Sequence, residues 1–423
     1  MWRSAIRDLA IVLGASWLAR VVFVIAIGDA HSNDVEHWEG ALAAQDAGQN
    51  PYETGVLNWP PFWLQIIVAI DYTAGALGFS FLSVLRIYLV LVESALVIAL
   101  YFVLASQGAA RGLVRRALLV GIALNPVAVI LVCQHGNGDV QVGLLVTLAV
   151  AALVAHERTR DVVFWLCGCL LLGLGVLAKT APIVLAPVLA PGARLASRTG
   201  RALGAVLLLG PAALGVSVLL ALNPTVTLDH VIGYRSTRGF FGLAGIVTET
   251  FDRLASIDVQ DRYATFFTVA VLAFVVWLGY RLWREPPPTA ARLFLLVAVV
   301  FLAVVAFGPG YGPQYAYWFL PALVATYVLL DDAWRRLLIV AYVIAGVTYA
   351  IEYAFVSFLG AYAVAIVGAE GWILDIAEEL ENPGQLVVFR LPLFVVYVVV
   401  IAAGIARLTD STTREPAAYD SKL

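Results

Sequence analysis

The sequence predicts an all-α polytopic membrane protein. Hydrophobic residues make up 62% of the 423-residue chain and charged residues 13%, a balance that no soluble chain of this length keeps at its surface. Apolar stretches long enough for a bilayer core recur with short polar breaks between them. Stretches such as Val84 to Ser106 and Ile339 to Val367 are apolar on every face, whereas barrel strands alternate. The net charge of -3 gives nucleic-acid binding no support.

The N-terminus carries Arg3 and Arg7 ahead of an apolar run that ends near Asp29-Ala30. Arg20 interrupts that run and its length suffices to span, so it reads as a retained first helix and not a signal peptide. Basic clusters then set the orientation, because cytoplasmic loops carry the excess of Arg and Lys. They fall at Arg3/Arg7, Arg111/Arg115/Arg116, Arg158/Arg160, Arg194/Arg198/Arg201, Arg281/Arg284/Arg292, Arg335/Arg336 and in the tail from Arg407. With all of these inside, every intervening apolar stretch crosses twice, except that Pro60 to Ser106 holds two apolar runs and allows one crossing. Pro61 to Gly78, with Asp71, two glycines and several aromatic residues, is assigned to the outer interface, and Val84 to Ser106 crosses.

The run from Val163 to Pro191 is too long for one span and breaks at Lys179-Thr180-Ala181-Pro182, giving an outward helix and a short returning one. The sum is about twelve crossings with both termini cytoplasmic. Outer segments are then 29–59, 134–139, the turn at Lys179, 223–263, 308–314 and 368–385. Cys133, Cys167 and Cys169 lie within apolar segments without redox or zinc spacing, and read as packing residues.

The first outer loop holds six carboxylates and no Lys or Arg. Acids accumulate outside because nothing excludes them. However, Asp34, His37 and Trp38 fall at helical spacing just after the first span, which places a carboxylate at the lip of a cavity as a candidate general base. Glu36 and Glu39 are the reserve candidates. Lys179 stands out because the chain has 24 arginines and only two lysines, the other being Lys422 in the tail. A charge within a span costs about 2.5–3.5 kcal/mol on insertion scales. Lys179 therefore either snorkels to outer headgroups or offers a cation to a phosphate.

Gln134-His135-Gly136-Asn137-Gly138-Asp139 joins two apolar helices with little spare length. The glycines and Asn137 suffice for a turn, which leaves His135 and Asp139 as candidates for a supporting role beside Asp34, together with Glu36 and His37. Arg235 and Arg238 are two external arginines that either bind phosphate or pair with outer acids. Arg86, near the outer end of the second crossing, is counted with them as a phosphate-binding candidate. Gly308 to Tyr315 is a turn first and a binding loop, through Gln314 and Tyr315, second. No His/Cys/carboxylate set has metal-ligand spacing, and the P-loop pattern of ATP hydrolysis is missing from the sequence.

These residues, in this order, resemble the GT-C superfamily of membrane glycosyltransferases that use polyprenyl-phosphate sugars. Asn50-Pro51-Tyr52 and Trp59-Pro60-Pro61 look like elements of polyprenol-phosphate-mannose mannosyltransferases. Asp34-x-Glu36-His37-Trp38 and the 135–139 loop look more like the eukaryotic enzymes that extend lipid-linked oligosaccharides, although those carry bulkier residues where this chain has Gly136-Asn137-Gly138. The resemblance covers about residues 1–190. It implies a catalytic module over 1–191, with outer loop 29–60 and interfacial helix 61–78. A variable transmembrane module over 192–407 with outer loop 223–263, and a cytoplasmic tail over 408–423, would complete the chain.

The resemblance further implies Asp34 as the catalytic base and Lys179, followed by Pro182, as the residue near the donor phosphate. The expected reaction is an inverting, metal-independent transfer of a sugar, mannose first, from a polyprenyl-phosphate donor to a lipid-linked glycan, glycolipid or polymer. It would take place on the non-cytoplasmic face, where nucleotide sugars are not supplied. The Arg-for-Lys bias favours a bacterial or archaeal plasma membrane. Two other readings stay open: a secondary transporter, to which about twelve crossings and a lysine at a helix break also belong, and a glycan ligase that uses a lipid-diphosphate donor.

Overall fold

A computed structural model of the chain describes residues 2–54, 57, 59–228, 242–247, 260–284, 289–310, 312–352 and 383–409. All regular structure among these residues is helical. Among the described residues, seven helices are long and apolar enough to cross a membrane, and an eighth crossing results if the bent pair Arg111–Ala123 and Pro126–His135 forms one span. Their outer faces carry large apolar side chains in the open, such as Ile25 at 77% exposure, Leu222 at 71% and Phe266 at 71%. Surfaces of this kind need lipid around them, so the chain is membrane-embedded. Val162–Ala178, Ala181–Leu195 and Ala316–Leu329 are shorter apolar helices.

The order begins with α1 (Trp2–Ile27), α2 (Asn33–Asp46), α3 (Pro61–Leu77) and α4 (Phe81–Ser106). α3 occupies the segment assigned to the outer interface. Pro61 at its first turn costs no hydrogen bond there, and Gly78, at φ 70°, closes it in the left-handed conformation. Ser80 then caps α4 through Ser83 N–H. The third crossing is broken. It runs as α5 (Arg111–Leu118), a π-turn (Leu119–Ala123), α6 (Pro126–Ile130) and a second π-turn (Leu131–His135), with a 48° bend between its halves. Pro126 lacks an N–H, and Asn125 bridges the break by accepting from Val127 N–H at 2.9 Å and donating to the Gly121 carbonyl at 2.9 Å.

α7 (Asp139–Thr159) and α8 (Val162–Ala178) follow, and helix breaks off at Lys179-Thr180 as the sequence implies. The return is a 3₁₀ stretch (Ala181–Leu189) with Pro187 inside it and a short α9 (Ala190–Leu195). α10 (Arg198–Leu222), α11 (Gln260–Arg284), α12 (Ala290–Phe307), α13 (Ala316–Leu329), α14 (Asp332–Glu352) and α15 (Pro383–Thr409) complete the described chain. These helices and helix pairs lie in the apolar segments read as crossings, while 353–367 of the run Ile339 to Val367 lies outside the described residues.

A break within a span orphans backbone carbonyls where no water can take them. Arg20 of α1 resolves this at the first π-turn, donating to the Ala123 carbonyl and, at 3.3 Å, to that of Ile122. Its charge is met by Glu93 of α4 at 2.5 Å, with side-chain exposures of 2% and 1% for the pair. Glu93 also accepts from Ser16 at 3.2 Å and from the Tyr317 hydroxyl of α13. Four elements therefore meet at one buried ion pair. Removing one partner of such a pair costs about 3–5 kcal/mol, whereas replacing both by apolar residues of similar volume is often neutral. Glu93→Leu is therefore expected to lower the thermal unfolding midpoint in detergent sharply, and Arg20→Met/Glu93→Leu to recover part of the loss. The double variant stops short of the parent because the Ala123 carbonyl loses the Arg20 donor.

Candidate active site

The second π-turn leaves a run of backbone carbonyls, and the segment that follows α1 is built to meet them. Arg86 of α4 donates to Cys133 O at 2.7 Å, Gly28 O at 2.8 Å and Ala30 O at 2.7 Å. Ser32 donates its N–H to Gln134 O at 3.1 Å and its hydroxyl to His135 O at 2.7 Å. The indole of Trp38 donates to Gly136 O at 3.3 Å. Ser32 also caps α2 by accepting from Asp34 N–H. The start of α2 is thereby fastened to the 131–136 segment, and Asp34 in its first turn comes to face His135.

Asp34 Oδ2 is 3.0 Å from His135 Nε2 and accepts from Asn137 Nδ2 at 2.5 Å. Burial opposes ionisation of Asp34, but the hydrogen bond and charge of His135, the Asn137 amide and the charge of Lys179 outweigh it. The carboxyl is held below its ordinary range. Its place at a helix N-terminus adds in the same direction. Glu36 and Glu39 of the same helix point outward and are exposed, while His37 is half-buried. Helical spacing thus turns Asp34, and not its reserves, toward the loop.

Beside this dyad lies the lysine at the end of α8. Lys179 Nζ contacts both carboxylate oxygens of Asp139, at 2.9 and 3.1 Å, and the Trp318 indole donates to Asp139 Oδ1 at 2.6 Å. Aromatic rings flank the ammonium, with centroids at 4.0 Å for Trp59, 4.4 Å for Tyr315 and 5.2 Å for Trp318. Ring faces favour a cation at such distances by about 0.5–2 kcal/mol each. Lys179 is therefore an anchored, enclosed cation and does not snorkel.

The tryptophans behind the site pack on one another, with Trp38, Trp59 and Trp63 centroids 5.5–5.7 Å apart. The Asn50-Pro51-Tyr52 element positions them. Asn50 accepts from Tyr52 N–H at 3.1 Å and the Tyr52 hydroxyl donates to Trp59 O at 3.1 Å, closing the loop below Lys179. Gly138 lies so close to Trp63 that a Cβ would stand 2.5 Å from its ring, and Gly136 adopts φ 65° against Val35. Bulkier residues therefore have no room in this loop.

Of the residues singled out in the sequence, the structure brings together Asp34, His135, Asp139, Lys179 and Tyr315. Gln314 is adjacent, with its side-chain oxygen buried and unpaired. Arg86 is brought near but is occupied by three backbone carbonyls, so its contacts give a phosphate-binding role no support. Arg235 and Arg238 lie outside the described residues. Reasoning from sequence overlooked Asn137, taken as a turn residue, and Trp318, hidden in an apolar run; it also missed that the partner of Lys179 is Asp139.

An apolar groove of about 680 Å³ extends along α13 from Arg116 and Arg335 at one end to Ala316, next to Tyr315, at the other.

The fold defines a class, the all-helical membrane proteins, as the sequence predicted. No protein-family model matches the chain and no curated protein matches it in sequence. Among solved structures, it is similar to the crystal structure of ArnT from Cupriavidus metallidurans bound to undecaprenyl phosphate. The TM-score is 0.50 at 16% identity, over 94% of this chain and 78% of that one. At this identity the likeness is one of fold.

The tight Gly138 contact yields a test of the site's architecture. Gly138→Ala is expected to push Trp63 or the loop aside and cost about 1–3 kcal/mol, the usual penalty of overpacking. A lowered thermal midpoint and altered tryptophan fluorescence would report it.

Proposed function

We propose that this chain is a glycosyltransferase that moves a sugar, mannose being the first choice, from a polyprenyl-phosphate donor to a hydroxyl of a lipid-linked glycan, glycolipid or polymer at the non-cytoplasmic face. The observation that carries this is the placing of a carboxylate held ionised, Asp34 in the first turn of α2, beside an enclosed cation, Lys179 at the end of α8. Likeness of fold to ArnT, whose structure holds undecaprenyl phosphate, supports a polyprenyl-phosphate donor. The groove along α13 has the lining an isoprenoid chain would need.

The mechanism is an inverting single displacement. Asp34 takes the proton of the acceptor hydroxyl as its oxygen attacks the anomeric carbon. The bond from that carbon to the phosphate oxygen breaks, and the phosphate leaves with the electron pair toward Lys179. His135 and Asn137 orient Asp34 and favour its ionised form, the one able to accept a proton. Such a leaving group departs without protonation, so one base and positive charge suffice and no metal is invoked.

Incubation of the purified protein with radiolabelled polyprenyl-phosphate mannose, glucose and arabinose and a cell-lipid extract tests the proposal. Asp34→Asn should abolish transfer while sparing donor binding, whereas Asp46→Asn and Glu53→Gln should do little. Activity retained by Asp34→Asn would remove the chemical basis of the proposal.

The pH profile supplies a second test. A carboxyl held low in the folded state stays ionised, and contributes stability, above its ordinary value, and loses both as pH falls through the lowered value. The acid limb of kcat/KM should accordingly lie below the ordinary aspartate range. In His135→Ala, burial is less opposed and the limb should move to higher pH.

A further inference from the structure

Lys179 already has a carboxylate partner and an aromatic surround. Two of its three N–H donors go to the oxygens of Asp139, three aromatic rings surround it, and its side chain is 12% exposed against 1% for Asp139. Asp139 is fixed in turn by the Trp318 indole, so it cannot swing away as a flexible surface acid would. A phosphate that approaches Lys179 therefore meets a cation neutralised by an immobile carboxylate.

We propose that Asp139 is an internal counter-ion that competes with the lipid phosphate for Lys179 and thereby drives release of the phosphate product, an inference that rests on the glycosyl-transfer reading. Donor and product differ in charge. A polyprenyl-phosphate sugar is a phosphodiester with one negative charge. When the bond between the anomeric carbon and the phosphate oxygen breaks, that oxygen keeps the electron pair and the acceptor proton passes to Asp34. The polyprenyl phosphate left behind is a monoester of about −1.5 to −2 near pH 7. A fixed carboxylate at Lys179 repels the product more than the donor. With Lys179 alone, the order would reverse and the product would be retained.

The test is Asp139→Asn, which preserves the shape and the Trp318 contact and removes the charge. Affinity for undecaprenyl phosphate, measured on protein in lipid nanodiscs, should rise on the order of tenfold or more, as expected for loss of a unit charge a few ångströms away. Affinity for the donor should rise less, so product inhibition strengthens and steady-state turnover falls relative to a single turnover. Equal or weaker binding of undecaprenyl phosphate by the folded variant overturns the proposal.

Asp139→Asn leaves Lys179 buried without its carboxylate, so the variant could lose its fold. In that case undecaprenyl phosphate should restore it, raising its thermal midpoint by more than it raises the parent's, because the phosphate replaces the missing counter-ion; no such rescue also overturns the proposal. If the parent itself fails to bind undecaprenyl phosphate, the glycosyl-transfer reading fails, and that outcome is distinct from a parent that binds and a variant that binds no better.

Discussion

The constraint on which this structure depends is the satisfaction of backbone carbonyls at the two breaks of the third crossing. In hydrocarbon an orphaned carbonyl has no water to turn to, and each costs several kcal/mol. The chain answers with one arginine for each break, Arg20 from α1 and Arg86 from α4. Arginine suits the task because its fork presents several donors in fixed directions and can serve two or three carbonyls at once. The charge this brings into the span must then be met. Glu93 meets that of Arg20 and draws in Tyr317, which fixes the start of α13.

Site geometry follows from that fixation. Tyr317 is bound to Glu93, its neighbour Trp318 is bound to Asp139, and Tyr315 faces Lys179. One turn of α13 thus links the buried ion pair to the cation of the site. At the other break, the carbonyls exposed by the π-turn are taken by Ser32, Trp38 and Arg86, which sets the start of α2 and hence the direction of Asp34. A carboxylate in the first turn of a helix and a histidine 101 residues further on can hold a 3.0 Å contact only because the backbone on both sides is tied.

What was legible in the sequence is what local pattern encodes. Long apolar runs and arginine clusters gave the helices, and Pro182 with a rare lysine marked the break at Lys179. Helical spacing after the first span made Asp34 a candidate beside Glu36 and Glu39, and the family resemblance marked it as the base. Pairings across the fold left no such trace. Asp139 and Lys179 were each singled out, yet nothing in either neighbourhood says that they bind each other 40 residues apart. Arg20 served only to argue against a signal peptide, because the carbonyls it satisfies belong to a bend over 100 residues away. Arg86 drew a phosphate role for the same reason. A lone arginine at a helix end looks like a free cation until its three backbone acceptors are seen. Asn137 was set aside because a Gly-Asn-Gly turn explains itself without a second use for the amide.

The same ties bear on the rival reading as a transporter. Alternating access requires broken helices to rock or unwind against their neighbours about a central site. Here each break is joined to a different helix by a buried arginine, and parting Arg20 from Glu93 would leave two charges unpaired within the span at a cost of several kcal/mol each. Lys179 is held by Asp139 and flanked by three rings, and Asp34 beside it is oriented by two polar side chains. A substrate-carrying site gains by loosening at each cycle. A site that must hold a base within hydrogen-bond reach of a hydroxyl gains by not moving, because misplacement by about 1 Å is enough to cost two orders of magnitude in rate. The rigidity bought by the two arginines therefore favours chemistry at a fixed point over passage through it.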